Sequence, residues 1–130
     1  MQLRIAMVTA DDLSQFKGGT IHLIEQAENL VRLGHRVTLY APSDGRLSQA
    51  CGARIRYLPA PLRGWFRQLI YDVSLLLVMT CDCLFGRVSI VHVRQMGYSI
   101  STLLAARLSG VPHVLEVNGI LRDEIPSLSR

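Results

Sequence analysis

Five short runs of apolar and β-branched residues recur along this chain, at 3–8, 36–41, 53–58, 89–93 and 113–117. Helical periodicity fills three of the four intervals between them, at 20–33, 64–85 and 98–109. This alternation constrains the fold more than any single motif does. A strand covered on both faces has no polar side, so it reads as a nearly continuous apolar run, as residues 3–8 do. Parallel neighbours need long crossovers, and right-handed crossovers lay helices over the sheet. The pattern predicts one α/β domain over 1–130, a doubly wound parallel sheet with helices on both faces. A chain of 130 residues is long enough for one real core and too short for two.

The punctuation agrees. Leu23, Ile24, Ala27, Leu30 and Val31 share one face of the first helix, and Gly34 ends it as a C′ residue would. Pro42 stops the second strand. The third carries Arg54 and Arg56 on one side, which places it near an edge. A short helix is expected around 47–50. Residues 64–85 are apolar on two sides: Leu69, Val73, Leu76, Leu77, Thr80 and Leu84 on one, Tyr71, Leu75, Val78 and Met79 on the other. Such a helix lies between layers or docks on something outside the domain. In the last helix Ile100, Leu103, Leu104 and Leu108 are expected to point inward, with Gly110 and Pro112 marking its end.

Hydrophobic residues make up 49% of the chain and charged ones 18%, so part of the apolar surface is expected to meet a partner. The net charge of +4 comes with only 6% aromatics, and no nucleic-acid partner is expected. Cys51, Cys81 and Cys83 form no Cys-x-x-Cys pair and read as free thiols of a reducing, cytoplasmic setting. The amino terminus runs into Asp11-Asp12 too soon for the apolar stretch of a secretory signal.

If the strand order is 3-2-1-4-5, a crevice opens at the carboxyl ends of strands one and four. Lys17-Gly18-Gly19-Thr20-Ile21-His22 sits at its mouth, where the first strand turns into the first helix. Glycine takes positive φ and lets a ligand approach the backbone, and a helix amino terminus favours an anion such as a diphosphate. A tight turn without a ligand is the other reading of the pair. The same crevice would collect Arg94, residues 95–98, Asn118 and Gly119. Arg94 can meet a phosphate or carboxylate. His22 is either a cleft contact or a surface histidine. His35 reads as a local cap and His92 as a core histidine. Asp11 and Asp12 either meet acceptor hydroxyls or are solvated loop acids. No catalytic triad and no metal-ligand spacing is present, so neither metal nor cofactor is expected.

With these residues in view, the chain resembles the N-terminal domain of a GT-B glycosyltransferase of the family 4 type, the retaining enzymes that use nucleotide sugars. The resemblance rests on Arg4-Ile5-Ala6-Met7-Val8, Gly18-Gly19-Thr20-Ile21-His22, Leu30-x-x-Leu33-Gly34-His35-Arg36-Val37, Ile90-Val91-His92-Val93 and Leu104-Ala105-Ala106-Arg107-Leu108. It continues through Gly110-Val111-Pro112-His113-Val114-Leu115-Glu116-Val117-Asn118-Gly119 and is weakest over 43–86. It implies two Rossmann-like domains around a cleft. Gly18 and Gly19 would face the phosphates and sugar of a nucleotide-sugar donor, and the acceptor would bind mainly on this domain. Most donor contacts, including the family's paired glutamates, would come from a C-terminal domain that this chain is too short to hold. The family often has His where Asn118 stands, which leaves Asn118 and Gly119 a sugar contact without an imidazole.

Three functions stay open at this point. The first is the acceptor-side domain of a hexosyltransferase acting on a lipid-linked or cell-envelope glycan. The second is a non-catalytic binding or anchoring subunit for a separate donor-binding chain. The third is an unrelated nucleotide-binding domain, although no G-x-G-x-x-G is present. The 61–86 region is expected to dock on an anionic membrane, at its inner face, or on a partner. Arg63, Trp65, Phe66 and Arg67 lead it, and Arg54, Arg56 and Arg87 flank it. Asp72 and Asp82 interrupt the segment and count against a span. The alternative is a core helix with ordinary surface arginines. The isolated chain is expected to fold, bind nucleotide sugars no better than millimolar and transfer no sugar, since a one-walled site neither buries nor orients its ligand. Turnover of a nucleotide sugar by the pure 130-residue protein would contradict this.

Overall fold

In a computed structural model of the chain, the structure describes residues 1–15, 17–46, 52–61, 63–94 and 100–117. The elements are β1 (Arg4–Val8), α1 (Gly18–Arg32), β2 (Arg36–Pro42), β3 (Arg54–Leu58), α2 (Trp65–Leu84), β4 (Ile90–Arg94), α3 (Ser101–Ser109) and β5 (His113–Glu116). They form one five-stranded sheet in the order β3-β2-β1-β4-β5, every pairing parallel. The expected helix around 47–50 lies outside the described residues.

β1 is the central strand. Its period-2 alternation sends Ile5 and Met7 into one layer, with Leu23 and Ala27 of α1. Ala6 and Val8 enter the other layer, with Tyr71, Leu75 and Met79 of α2 and Ala105 and Ala106 of α3. The register carries this partition across the sheet: Met7 lies beside Leu39 and His92, and Val8 beside Tyr40 and Val93. One helix therefore covers one face and two cover the other.

α1 ends as its sequence predicts. Gly34 takes φ +90°, and His35 N–H reaches the Leu30 carbonyl at 3.1 Å. The His35 ring adds a second tie: its Nδ1 accepts the Leu3 N–H at 3.2 Å and pins the helix end to β1.

The inward face of α3 differs from expectation. Leu108 is 70% exposed, and Ile100, Leu103 and Leu104 also face outward. The buried residues are Ser101, Thr102, Ala105 and Ala106. Small side chains let α3 lie close against α2 and the sheet, so proximity overrides side-chain hydrophobicity. Its leucines remain uncovered by the described residues.

α2 resolves its two apolar sides in one sense. Tyr71, Leu75 and Met79 are inside, while Leu69, Val73, Leu77 and Leu84 are outside with Trp65, Phe66 and Phe85. Cys83 is buried and Cys81 exposed, both free. The Tyr71 hydroxyl donates to the Thr9 carbonyl at 2.5 Å, and burial pushes its ionisation up. Among the described residues no helix is long and apolar enough to cross a membrane.

Asp82, only 3% exposed, sits near the end of α2 and gathers three donors. These are the Tyr40 hydroxyl at 2.6 Å, Arg56 Nη1 at 2.6 Å and Arg87 Nη1 at 3.3 Å. One carboxylate thus ties α2 to β2 and to the edge strand β3. Asp82→Ala should cost about 1–3 kcal/mol, because Tyr40 loses its acceptor while the arginines can turn to water. The urea midpoint should fall with the m-value unchanged. An unchanged midpoint would show that the tie contributes nothing.

Candidate functional site

The chain leaves β1 for α1 on one face of the sheet and leaves β4 for α3 on the other, so the carboxyl ends of β1 and β4 flank a switch point. Gly18 and Gly19 open α1 there. Lys17 precedes them as an extended N-cap at φ −95°, ψ 156°. No side chain caps the helix and no acid stands in its first turn, which leaves the positive end of the dipole uncompensated by the helix itself.

Of the two freedoms of glycine that the sequence suggested, the structure does not use positive φ. Neither has positive φ. A Cβ on Gly19 would lie 2.5 Å from Arg94 Nη1 and 2.6 Å from Nη2, and Arg94 Nη1 donates to the Gly19 carbonyl. Gly19 is therefore the space that a guanidinium occupies. A Cβ on Gly18 would meet nothing within 4 Å, so its side is open.

Arg94 ends β4, and its register partner is Glu116 at the end of β5. Glu116 lies between two imidazoles: Oε1 is 3.2 Å from His22 Nε2, and Oε2 is 3.5 Å from His92 Nε2. Alternation places His92, Arg94 and Glu116 on the α1 face of the sheet. His92 is thus not a satisfied core residue. Its Nδ1 is buried without a hydrogen-bond partner among the described residues, and its other nitrogen looks toward the cluster. The sequence reading passed over Glu116, which sits inside an apolar run. The signal available was a lone carboxylate at the last position of a parallel strand, where side chains meet the cleft.

The other candidates separate. Asn118, Gly119 and residues 95–98 lie outside the described residues. Asp12 accepts from Ser14 N at 2.8 Å, Ser14 Oγ at 2.6 Å and Gln15 Nε2 at 3.3 Å. The Ser14 bonds hold its carboxyl below the usual carboxylate range and spend it on its own loop. Arg67 turns inward. It grips Asp44 through Nε at 2.5 Å and Nη2 at 3.0 Å and reaches the Ala10 carbonyl, so its charge fastens the loop after β2 to the end of β1. Arg63 stays exposed, and Trp65 and Phe66 stack with ring centroids 3.8 Å apart. Among the described residues no group of three His, Cys, Asp or Glu is arranged to hold a metal ion.

The arrangement combines a helix amino terminus with Arg94, both suited to negative oxygen. Beside them stands an imidazole oriented by a carboxylate. With Nε2–H donated to Glu116, His22 keeps Nδ1 as an acceptor for a hydroxyl proton.

Residues 16–128 match the model of Glycosyltransferase Family 4. A comparison with curated proteins gave no match. Among solved structures the chain superposes on Acinetobacter baumannii MurG with a TM-score of 0.62 at 21% identity, covering 95% of this chain and 39% of that one. The glycotransferase of kitacinnamycin gives 0.62 at 16%, covering 98% and 34%. The C-terminal domain of the Pyrococcus furiosus hydrogenase PF1911 gives 0.61 at 11%, covering 86% and 89%. Structural likeness at these identities shows the fold alone. The chain spans about two fifths or less of the glycosyltransferases it matches.

The two glycines should respond differently to one methyl group. Gly18→Ala should leave the fold and the Arg94 side-chain NMR signals unchanged. Gly19→Ala should shift those signals, because the guanidinium must move. Unshifted Arg94 signals in Gly19→Ala would refute the packing of Arg94 on Gly19.

Proposed function

The chain belongs to glycosyltransferase family 4, and from that premise we propose that it forms the acceptor-side wall of a sugar-transfer site. The donor is a nucleotide sugar, completed from the other side by a GT-B C-terminal domain or a partner chain. The acceptor is a glycan, lipid-linked or of the cell envelope. The observation that carries the reading is the convergence of Gly19, Arg94, Glu116 and His22 at the switch point. The amino end of α1 and Arg94 supply positive charge to the diphosphate as it leaves. Gly18 leaves the approach open. Asn118 and Gly119 follow β5 in sequence and are proposed as sugar contacts.

The family resemblance supports a retaining transfer as the first reading. One observation favours an inverting second reading: His22 held by Glu116 is the equipment of a general base, which would take the proton of the acceptor hydroxyl as the sugar arrives. The anomeric configuration of the first product, read by NMR, separates the two. In a protein that pairs this domain with a donor-binding one, His22→Ala should lower kcat by about 10²–10⁴-fold if the imidazole is that base, with donor KM little changed. Gly19→Val should abolish transfer without unfolding the domain, since the β-branched side chain evicts Arg94 and fills the cleft. Activity within twofold of wild type in Gly19→Val would place the donor elsewhere.

We also propose that the outward stripe of α2, with Trp65 and Phe66 at its start and Arg63 beside it, rests on an anionic membrane at its inner, cytoplasmic face. Arg67 is left out of that surface by its grip on Asp44. Binding to anionic liposomes should fall with salt and weaken at least severalfold in Arg63→Glu/Trp65→Ala. Failure of the folded protein to co-sediment at low salt would return the stripe to a protein partner.

A further inference from the structure

A groove of about 710 Å³ opens at the end of the sheet opposite the transfer site. Arg4, Arg36, Arg54, Arg56 and Arg87 line it, with Asp82 as the only carboxylate among the described residues. Its excess of guanidinium over carboxylate equals the net charge of the whole chain, +4. The register explains how the charges converge. Arg4 lies beside Arg36, Thr38 beside Arg54, and Tyr40 beside Arg56. Alternation then puts four arginines on one face of three adjacent strands, the face that α2 covers. α2 ends above them, bringing Asp82 and Arg87.

Like charges on neighbouring strands repel, and a fold gains nothing from stacking them. Asp82 relieves the repulsion only in part, as one carboxylate shared by Tyr40, Arg56 and Arg87. The same sharing holds Arg56 and Arg87 in place, so the groove is partly built before anything enters. The final carbonyls of α2 do not compensate the arginines. Those of Cys81, Asp82 and Cys83 accept the N–H groups of Phe85, Arg87 and Gly86 at 2.9, 2.8 and 3.1 Å. Arg4, Arg36 and Arg54 make no ion pair among the described residues.

We infer that this groove binds a ligand carrying two or more phosphoryl groups. Three strands side by side span about 10 Å, the reach of a short polyphosphate chain or of a headgroup with several phosphates. Guanidiniums meet phosphate oxygens in pairs of hydrogen bonds, which a single halide or a carboxylate-poor surface does not reward. The inference is independent of the transfer reading, since no residue of the groove belongs to the cluster around Arg94.

Inorganic tripolyphosphate and vesicles containing a phosphatidylinositol bisphosphate are the two probes, applied to the full chain. Tripolyphosphate should raise the thermal midpoint and bind at least tenfold tighter than orthophosphate at matched ionic strength. Arg36→Gln/Arg54→Gln, whose side chains are exposed and unpaired to any carboxylate among the described residues, should weaken it at least tenfold with the far-UV spectrum unchanged. Arg63→Gln, outside the groove, should not. Vesicle binding in excess of that to charge-matched phosphatidylserine vesicles, with the excess lost in the same double variant, assigns the phosphates to a lipid headgroup. Tripolyphosphate binding without that excess assigns them to a free ligand. Equal affinity of wild type and Arg36→Gln/Arg54→Gln for tripolyphosphate, or no midpoint shift in wild type, would overturn the inference. Should the double variant unfold, Arg54→Lys keeps the charge but loses the fork, and should still weaken binding.

Discussion

Everything in this domain is arranged around a strand that cannot face water. β1 is buried on both sides, with Ala6, Met7 and Val8 wholly inaccessible. One covering layer is not enough for such a strand, so the chain must send helices to both faces. The step from α1 on one side to α2 and α3 on the other makes the switch point. The cleft is therefore a consequence of burying β1, and the side chains that end β4 and β5 arrive in it because the register of β1 carries them there.

Two ends of one sheet have acquired opposite characters. At the carboxyl end charges are mixed: Arg94 rests on the Gly19 carbonyl, and Glu116 stands 3.2 Å from His22 and 3.5 Å from His92. Such a cluster can orient a hydroxyl and meet a phosphate in the same few ångströms. At the amino end positive charge accumulates across β1, β2 and β3 with one shared carboxylate. Polar side-chain bonds fasten α2 to the sheet at both ends. Tyr71 bonds the end of β1, Arg67 clamps Asp44, and Asp82 anchors β3. α2 supplies all three, beside an apolar inner face of Leu75, Met79 and Cys83 and an apolar outer stripe.

Much of this was legible in the sequence because it depends on period and order. The strands, the helix over residues 20–33 and the edge position of β3 follow from apolar runs, a glycine stop and charged alternation, all local signals, whereas the order 3-2-1-4-5 entered only as a condition that the pairings then met. The α3 face was misread because leucine content points outward there, and only the neighbouring helix decides that small residues must go inside. The glycine pair opens α1 without the positive φ that glycine would allow. Positive φ is a property of the backbone, whereas the reason for Gly19 is a guanidinium from a residue 75 positions away. The arginine groove was illegible for the same reason, since register, and not sequence distance, assembles it, whereas Glu116 carried a local signal at the end of its strand. Arg67 read as a surface charge because nothing in the sequence pairs it with Asp44.

The central claim is that the switch-point cluster is one wall of a nucleotide-sugar site. Amide NMR of the isotopically labelled chain, titrated with a nucleoside diphosphate, tests it most directly. The account predicts weak, saturable shifts at Gly18, Gly19 and Thr20, with accompanying changes at His22 and Arg94. Silence at those positions while the amides of Arg36 and Arg54 respond would contradict it.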